Sequence, residues 1–360
     1  MRRVIQDGER GLSPLHSDRS NVVCWGMSRT ADGRKAGGLA VTGLAYRQEG
    51  SAYLRRGPVT ALVSILAALA VASSIVGLTV SGGPGRQATV TARGATITLY
   101  GEGLYAADTW LIGTGNRGQD AAILLVEVPI LLLALRWYRR GGRVAPAALA
   151  GVLAFFSYYY VSMTFAIAQN RLFPVYVAAA SLAGFALVTV ASAMNVSRIA
   201  DAIPEPPGRA ALATYLFAVA AALTLAWLPE LVTTTVTGDI AQAVGPYTSS
   251  ATHALDLGLV VPVAVLAAAK LLRRRPSGRV LTLIMLVVNL CVGTLLMGQG
   301  IAQLLSGVPM TPAEIVAKML TFAVLTLVAG GLLARLTWGG VYQAARATPG
   351  PAYPRKGVRT

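Results

Sequence analysis

Residues 280–302 read VLTLIMLVVNLCVGTLLMGQGIA, an unbroken stretch of 23 residues without a charged side chain. A helix needs about 20 apolar residues to cross the hydrocarbon core of a bilayer. A segment in that environment must satisfy its own backbone hydrogen bonds, which a helix does. The stretch therefore predicts a transmembrane helix.

Further apolar stretches of similar length occur along the chain, and seven of them are long enough to span or nearly so. They lie at residues 59–80, 121–138, 146–169, 172–195, 210–229, 255–272 and 313–335. The composition agrees, because 54% of the 360 residues are hydrophobic and only 13% are charged, about half the charged fraction of a soluble protein. We therefore predict an all-α fold, a polytopic transmembrane helix bundle of eight spans within residues 58–337.

The distribution of Lys and Arg predicts the orientation, because cytoplasmic connections carry an excess of both. With the N-terminal tail inside, 26 of the 31 basic residues fall on the cytoplasmic side, four fall outside, and Lys318 lies within the last span. We expect a plasma (inner) membrane protein with both termini cytoplasmic. Nucleic acid is not an expected partner, because the basic residues are not gathered on a compact domain.

The two ends of the chain have a different composition. Residues 1–57 are rich in charge, Gly and Ser and have no sustained apolar period, and residues 338–360 are similarly basic. Such segments cannot bury enough apolar surface to fold. We predict a disordered cytoplasmic tail at each end, and Met27 is an alternative start within the first.

The longest predicted outward connection, residues 81–120, contains two unusual patterns. Alternating residues at 88–91 and 96–100 predict a short extracytoplasmic hairpin. Gly113, Gly115 and Gly118 satisfy the GxGxxG spacing of dinucleotide-binding turns, but a membrane span follows them instead of a soluble helix. We interpret the glycines as a flexible turn into the second span.

The residues that usually carry catalysis or bind metals are sparse. Cys24 and Cys291 cannot sensibly meet, and His16 and His253 form neither an HExxH motif nor a pair of haem ligands. No recognisable catalytic motif occurs elsewhere. We predict no catalytic, metal or cofactor site, and the chain is more typical of a non-enzyme.

Several polar and aromatic residues in the first half of the chain carry a resemblance to other proteins. They are Gly118-Gln119-Asp120 opening a helix, Pro129 within it, Tyr158 to Tyr160 in the next helix, and Asn170 followed by Leu172, Phe173 and Tyr176. On these residues the stretch 99–188, about a quarter of the chain, resembles a set of uncharacterised bacterial multi-pass membrane proteins. The resemblance implies a membrane protein with a focus at these residues, and it implies no reaction.

Ionisable residues inside spans are costly and therefore mark functional positions. Glu127 and Lys318 lie about 10 Å and 9 Å below the outer boundary of their predicted spans, so we expect an intramembrane polar centre in which they pair. Glu314, one turn before Lys318, can share its ammonium group, and Asn289 is a candidate interhelical hydrogen-bonding group. The alternative is that Lys318 extends outward while Glu127 is protonated or hydrogen-bonded.

A second group of polar residues is predicted at the outer face of the bundle. It consists of Arg117, Asp120, Gln169, Asn170 and Arg171. One hypothesis is a ligand site. The other is that these residues cap helix ends and contact lipid headgroups.

Three classes of function remain open. A transporter or permease-type subunit is favoured, because the spans contain ionisable residues that such a protein uses. A membrane sensor, assembly or scaffold protein is the alternative, and a membrane-embedded enzyme is third. The expected partners are the lipid bilayer and an unknown small molecule or partner membrane protein.

Overall fold

The computed structural model describes residues 56–91, 94–203, 208–238, 246–247 and 249–346, without the side chains of 317, 318 and 337–346. Both predicted tails fall mainly on residues outside this description. Within it, besides one short 3-10 helix at Gly103–Tyr105, nine longer helices and one pair of strands follow in chain order. They are α1 (Arg56–Thr79), β1 (Gln87–Val90), β2 (Thr96–Leu99), α2 (Trp110–Arg139), α3 (Ala145–Phe165), α4 (Phe173–Ala193), α5 (Val196–Ala202), α6 (Arg209–Thr237), α7 (Ala251–Leu272), α8 (Pro276–Leu305) and α9 (312–346).

Seven of the described helices are long and apolar enough to cross a membrane: α1, α2, α3, α4, α6, α7 and α8. The chain is thus a multi-pass membrane protein, as its composition predicted. The eighth span predicted at 313–335 lies in α9, whose uninterrupted apolar part, Thr321–Leu336, is shorter. The total number of spans therefore stays a prediction.

Helix starts follow ordinary capping chemistry. The Thr109 hydroxyl accepts a hydrogen bond from the backbone N–H of Ile112 at the start of α2. At the start of α9, Thr311 and Glu314 form a reciprocal capping box. Each cap satisfies N–H groups that the first helical turn leaves without an intrahelical acceptor.

The second span begins earlier than its predicted boundary at residue 121. Helix α2 starts at Trp110, so residues 110–120 are helical and the connection from α1 covers only 80–109. The flexible turn expected at Gly113, Gly115 and Gly118 is therefore wrong. A cluster of glycines suggests a turn locally, but in this helix Gly115 and Gly118 allow close packing against α8, and Gly113 makes room for the Tyr100 side chain.

Helix α8 is central to the bundle, where it packs against α2, α3, α5, α7 and α9. One apolar core joins α1 to α4 with part of α8, around Leu131, Leu153 and Phe156. The other joins α5 to α9, with Leu216 and Leu271 completely or almost completely buried. Large apolar side chains elsewhere face outward, as expected where lipid replaces water.

Contacts between connections define the two ends of the bundle. At the predicted outer end, Asp108 accepts hydrogen bonds from Ala168 N and from the Tyr247 hydroxyl, so three connections meet there. At the predicted inner end, Arg279 donates to the Ile203 carbonyl oxygen. The antiparallel pair β1–β2, in register Gln87 with Leu99, belongs to the connection at the outer end. Which end faces the cytoplasm stays a prediction.

Three of the described helices contain a single widened, π-helical turn. These turns are Ile123–Glu127 in α2, Asp256–Val260 in α7 and Val316–Leu320 in α9. Each contains one ionisable residue, respectively Glu127, Asp256 and Lys318. Widened turns of this kind are frequent at functional sites, which directs attention to the side chains around them.

Candidate functional site

The carboxylate of Asp120 lies inside the bundle, ten residues beyond the start of α2, and is 2% exposed. Its Oδ2 accepts a 2.7 Å hydrogen bond from the hydroxyl of Tyr105. Gly77 of α1 makes room for this contact, because a Cβ there would lie 1.9 Å from the same oxygen. The Asp120 position therefore depends on a glycine of one helix and a tyrosine of the outer connection.

Arg117, one turn before Asp120, is half-buried and has other partners. Its guanidinium donates to the Tyr100 hydroxyl at 3.1 Å and to the carbonyl oxygen of Leu78 at 2.9 Å. It forms no ion pair within 4.0 Å of Asp120 among the described residues. Arg117 thus ties α2 to the end of α1 and acts on Asp120 only from a distance.

Three further tyrosines surround Asp120 from α3 and α4. The rings of Tyr159 and Tyr160 are 4.9 Å apart, and those of Tyr160 and Tyr176 are 6.3 Å apart. The hydroxyls of Tyr160 and Ser73 share a 3.2 Å hydrogen bond. We call Asp120 with Tyr105, Tyr159, Tyr160 and Tyr176 the Asp120 cluster.

Two hydroxyl groups of this cluster differ in their bonding. Burial raises the pKa of Tyr105 well above its usual range, and the nearby Asp120 carboxylate raises it further, so Tyr105 remains a donor. The hydroxyl of Tyr176 is buried beside the hydroxyl of Tyr105 and the side-chain amide of Asn170. It nevertheless makes no hydrogen bond of ordinary geometry with any described residue. A buried hydroxyl group without a hydrogen bond needs an explanation. One explanation is that the hydroxyl alternates between different hydrogen-bond partners.

Asp108 holds the outer end together and is 1% exposed. Its Oδ1 accepts from Ala168 N at 2.8 Å and from the Tyr247 hydroxyl at 2.9 Å. Burial raises the pKa of Asp108 to about 6, although these two donors lower it. Its Oδ2 is buried without a hydrogen-bond partner among the described residues.

Glu127 closes the widened turn of α2 and is completely buried. Its Oε1 accepts a hydrogen bond from the hydroxyl of Thr294 on α8, and the thiol of Cys291 lies beside the carboxyl group. Its Oε2 has no hydrogen-bond partner among the described residues. The Lys318 side chain lies outside the described residues, so its pairing with Glu127 stays a prediction.

The earlier start of α2 changes the depth expected for Glu127. Counted from Trp110, Glu127 lies 17 residues into the helix, about 25 Å along its axis instead of about 10 Å. On α9, Met319 packs against α8 at Gly300, where an added Cβ would lie 2.2 Å from its sulfur. Because Gly300 follows Thr294 by six residues, the Lys318 backbone is about 9 Å nearer the outer end than Glu127.

A second polar group surrounds Asp256 in the widened turn of α7. Asp256 Oδ1 accepts from the Tyr158 hydroxyl at 2.9 Å, and Oδ2 accepts from Trp227 Nε1 at 2.8 Å. The ring of His253 lies 4.0 Å from that of Trp227, and its Nε2 is 3.6 Å from Glu230 Oε2. Sequence reasoning missed this group, although an Asp at the edge of an apolar stretch was an available signal.

The remaining predicted site residues have varied positions. Asn170 lies beside Tyr176 and so joins the edge of the Asp120 cluster, whereas Gln169 and Arg171 are exposed. Asn289 is half-buried, with its Nδ2 lacking a hydrogen-bond partner among the described residues. Glu314 is exposed and caps its own helix.

Comparisons of the chain with protein-family models, with curated proteins and with solved structures found no match. In the part of the chain that the structure describes, no group of three His, Cys, Asp or Glu residues is placed to hold a metal ion. The site is therefore defined by its own geometry inside the helix bundle. It consists of the Asp120 cluster, the group around Asp256, Asp108 with the Tyr247 hydroxyl, and Glu127 with Thr294.

Proposed function

We propose that the chain is a transporter or permease-type protein of the plasma membrane. The observation that supports this most strongly is Glu127, a completely buried carboxyl group with one oxygen that has no described partner. An ionisable group within the membrane is costly and usually lines a pathway for an ion, a proton or a substrate.

The arrangement of α2 adds support. Asp120 and Glu127 lie seven residues apart on this helix, about 10 Å along its axis, and both are almost completely buried. Neither forms an ion pair with a side chain that the structure describes. A protein that only packs against a partner gains no stability from two such groups, whereas a transporter needs groups that change charge inside the membrane.

The widened turns supply the second requirement, which is a helix able to bend. Each of the three turns interrupts the regular i to i−4 hydrogen bonds beside an ionisable residue. In the proposed transporter these turns let α2, α7 and α9 move relative to α8. The proposed partners are the small molecule carried and the surrounding lipid.

Cys291 offers a test of this function, because it is completely buried beside Glu127. In a Cys24→Ser background, right-side-out and inside-out vesicles are treated separately with a membrane-impermeant thiol reagent, so that each side of the protein is exposed to it in turn. A transporter opens its interior to water in turn on each side, so Cys291 should react. The matched control is a Cys24→Ser, Cys291→Ser chain with Ala183→Cys, since Ala183 is equally buried in an apolar core.

The expected result is labelling of Cys291 at least tenfold faster than labelling of the control cysteine. Equal, slow labelling from both sides would contradict transport. It would favour the second candidate, a sensor, assembly or scaffold protein. The observation that favours that candidate is the strand pair β1–β2, whose largely exposed side chains are available for contact with another protein.

A further inference from the structure

A line of hydroxyl groups leads from the outer end of the bundle to Asp120. Its outer member is Tyr176, whose hydroxyl lies beside the Asn170 amide in the connection between α3 and α4. The next member is Tyr105, which lies beside Tyr176 and donates to Asp120 Oδ2 at 2.7 Å. Asn170 is flanked by exposed residues on both sides, so the line begins close to the surface of the bundle.

We propose that Tyr176 and Tyr105 form a proton path to Asp120, and that the proton is the ion this protein couples to transport. The coupling of the proton to transport rests on the proposed function, whereas the path itself follows from the contacts. Asp120 is the proton-binding group. The unpaired hydroxyl of Tyr176 is the element that must rotate to complete the path.

The transfer conserves protons at every step. A hydronium ion at the outer end gives a proton to the Tyr176 oxygen, and Tyr176 gives its own proton to the Tyr105 oxygen. Tyr105 then gives its original proton to the Asp120 carboxylate, which becomes a carboxylic acid. Each hydroxyl gains one proton and loses one, so both tyrosines end neutral and one proton has moved inward. Release to the outside reverses these steps.

The surroundings of Asp120 allow both of its charge states. Burial disfavours a charged carboxylate, and a nearby guanidinium favours it. Asp120 experiences both influences, because it is almost completely buried and Arg117 lies one turn away. The other titratable groups that face it are Tyr105 from the outer connection, Tyr159 and Tyr160 from α3, and Tyr176 from α4. From α1, Ser74 contributes a hydroxyl that does not titrate.

Asp108 lies near the outer end of this path. It acts on Tyr176 electrostatically and is bound to Ala168 in the same connection as Asn170. With a pKa of about 6, its carboxyl group exchanges protons close to neutral pH.

The test is infrared spectroscopy of the full chain reconstituted in lipid bilayers. A protonated carboxyl group has a carbonyl band that shifts when its proton is replaced by deuterium, and the rate of this shift after transfer to D2O measures proton access. Asp120→Asn should remove one such band, which assigns it to Asp120. In Tyr176→Phe and Tyr105→Phe the assigned band should shift at least tenfold more slowly than in the unaltered protein.

Tyr158→Phe is the matched control, because its hydroxyl binds Asp256 in the other cluster. It should leave the exchange rate of the Asp120 band unchanged. Tyr105→Phe removes a buried hydrogen bond and can impair folding, so Tyr176→Phe carries the decisive measurement, since no described hydrogen bond is lost. Each variant is first compared with the unaltered chain in membrane yield and thermal unfolding.

Two outcomes would overturn the path: no band removed by Asp120→Asn, or an unchanged exchange rate in Tyr176→Phe. Neither depends on whether the bundle opens. Slowed exchange together with an unreactive Cys291 would overturn the transport function and leave the proton path intact. A reactive Cys291 with unchanged exchange would overturn the path and leave transport intact.

Discussion

Gly118 of α2 and Gly298 of α8 face each other where the two helices cross. A Cβ atom on Gly118 would lie 2.2 Å from the carbonyl oxygen of Gly298, and one on Gly298 would lie 2.7 Å from that of Gly118. Small residues at facing positions let two membrane helices approach this closely. The crossing holds α2 against the helix that supplies Thr294 to Glu127.

We predict that Gly118→Ala destabilises the protein by about 1–3 kcal/mol, because a backbone oxygen cannot move aside as a side chain can. Thermal unfolding in detergent measures the effect. Gly331→Ala in α9 is the control, since nothing lies within 4 Å of a Cβ there. Both variants replace a helical glycine by alanine, so both gain the same helix propensity. Equal stability of the two variants would contradict the proposed crossing.

The crossing of α2 and α8 illustrates which parts of the fold could be predicted from the sequence and which could not. Long apolar stretches identify spans because the bilayer sets their length, and the start of α9 was predictable from its local capping box. The start of α2 was not, because glycines at 113, 115 and 118 are typical of turns unless packing against distant residues requires them. The partner of Gly118, for example, is Gly298, which is 180 positions away in the chain.

The candidate site was predictable to a similar extent. Asp120, Asn170 and Glu127 could be singled out, because polar groups near or within spans are expensive. The roles of Tyr105 and Tyr176 could not, since aromatic residues at a membrane boundary are common and only the fold brings these two hydroxyls together. The same holds for Asp256, which meets Tyr158 across 98 residues of sequence.

The orientation of the bundle can be tested by accessibility of single cysteines. In a chain lacking Cys24 and Cys291, cysteines at Gln87 and Ser306 should react with an impermeant thiol reagent in intact cells, because both lie at the predicted outer end. Arg143→Cys, exposed at the other end, should react only after the membrane is permeabilised. The reverse pattern would invert the topology.

The pairing of Glu127 with Lys318 predicts coupling in a double-mutant cycle. Neutralising either residue alone, with Glu127→Gln or Lys318→Met, should destabilise the protein in detergent more than neutralising both, because one buried charge is left without its partner. The long lysine side chain must extend inward to bridge the offset of about 9 Å along the helix axes. Additive effects of the two substitutions would show that Lys318 instead extends toward the membrane surface.

The last prediction concerns Asp108 and the pH dependence of stability. Its pKa is raised from 3.8 in an exposed chain to about 6 in the fold. The folded protein therefore holds this proton over a pH range where the unfolded chain has lost it. The contribution of Asp108 to stability is greatest below pH 4 and falls as the pH rises to about 6. The difference between these two pKa values corresponds to roughly 3 kcal/mol between these limits.

Asp108→Asn removes the titrating group while keeping an oxygen that accepts from Ala168 N and the Tyr247 hydroxyl. Other carboxyl groups titrate in both proteins, so the difference in unfolding free energy between them isolates Asp108. We expect the unaltered protein to lose about 3 kcal/mol relative to this variant between pH 4 and pH 7. Glu102→Gln, at an exposed position in the same connection, is the control and should show the same change in stability with pH as the unaltered protein. A difference for Asp108→Asn that stays constant with pH would mean that Asp108 remains ionised in the fold, with solvent reaching the contact between the three outer connections.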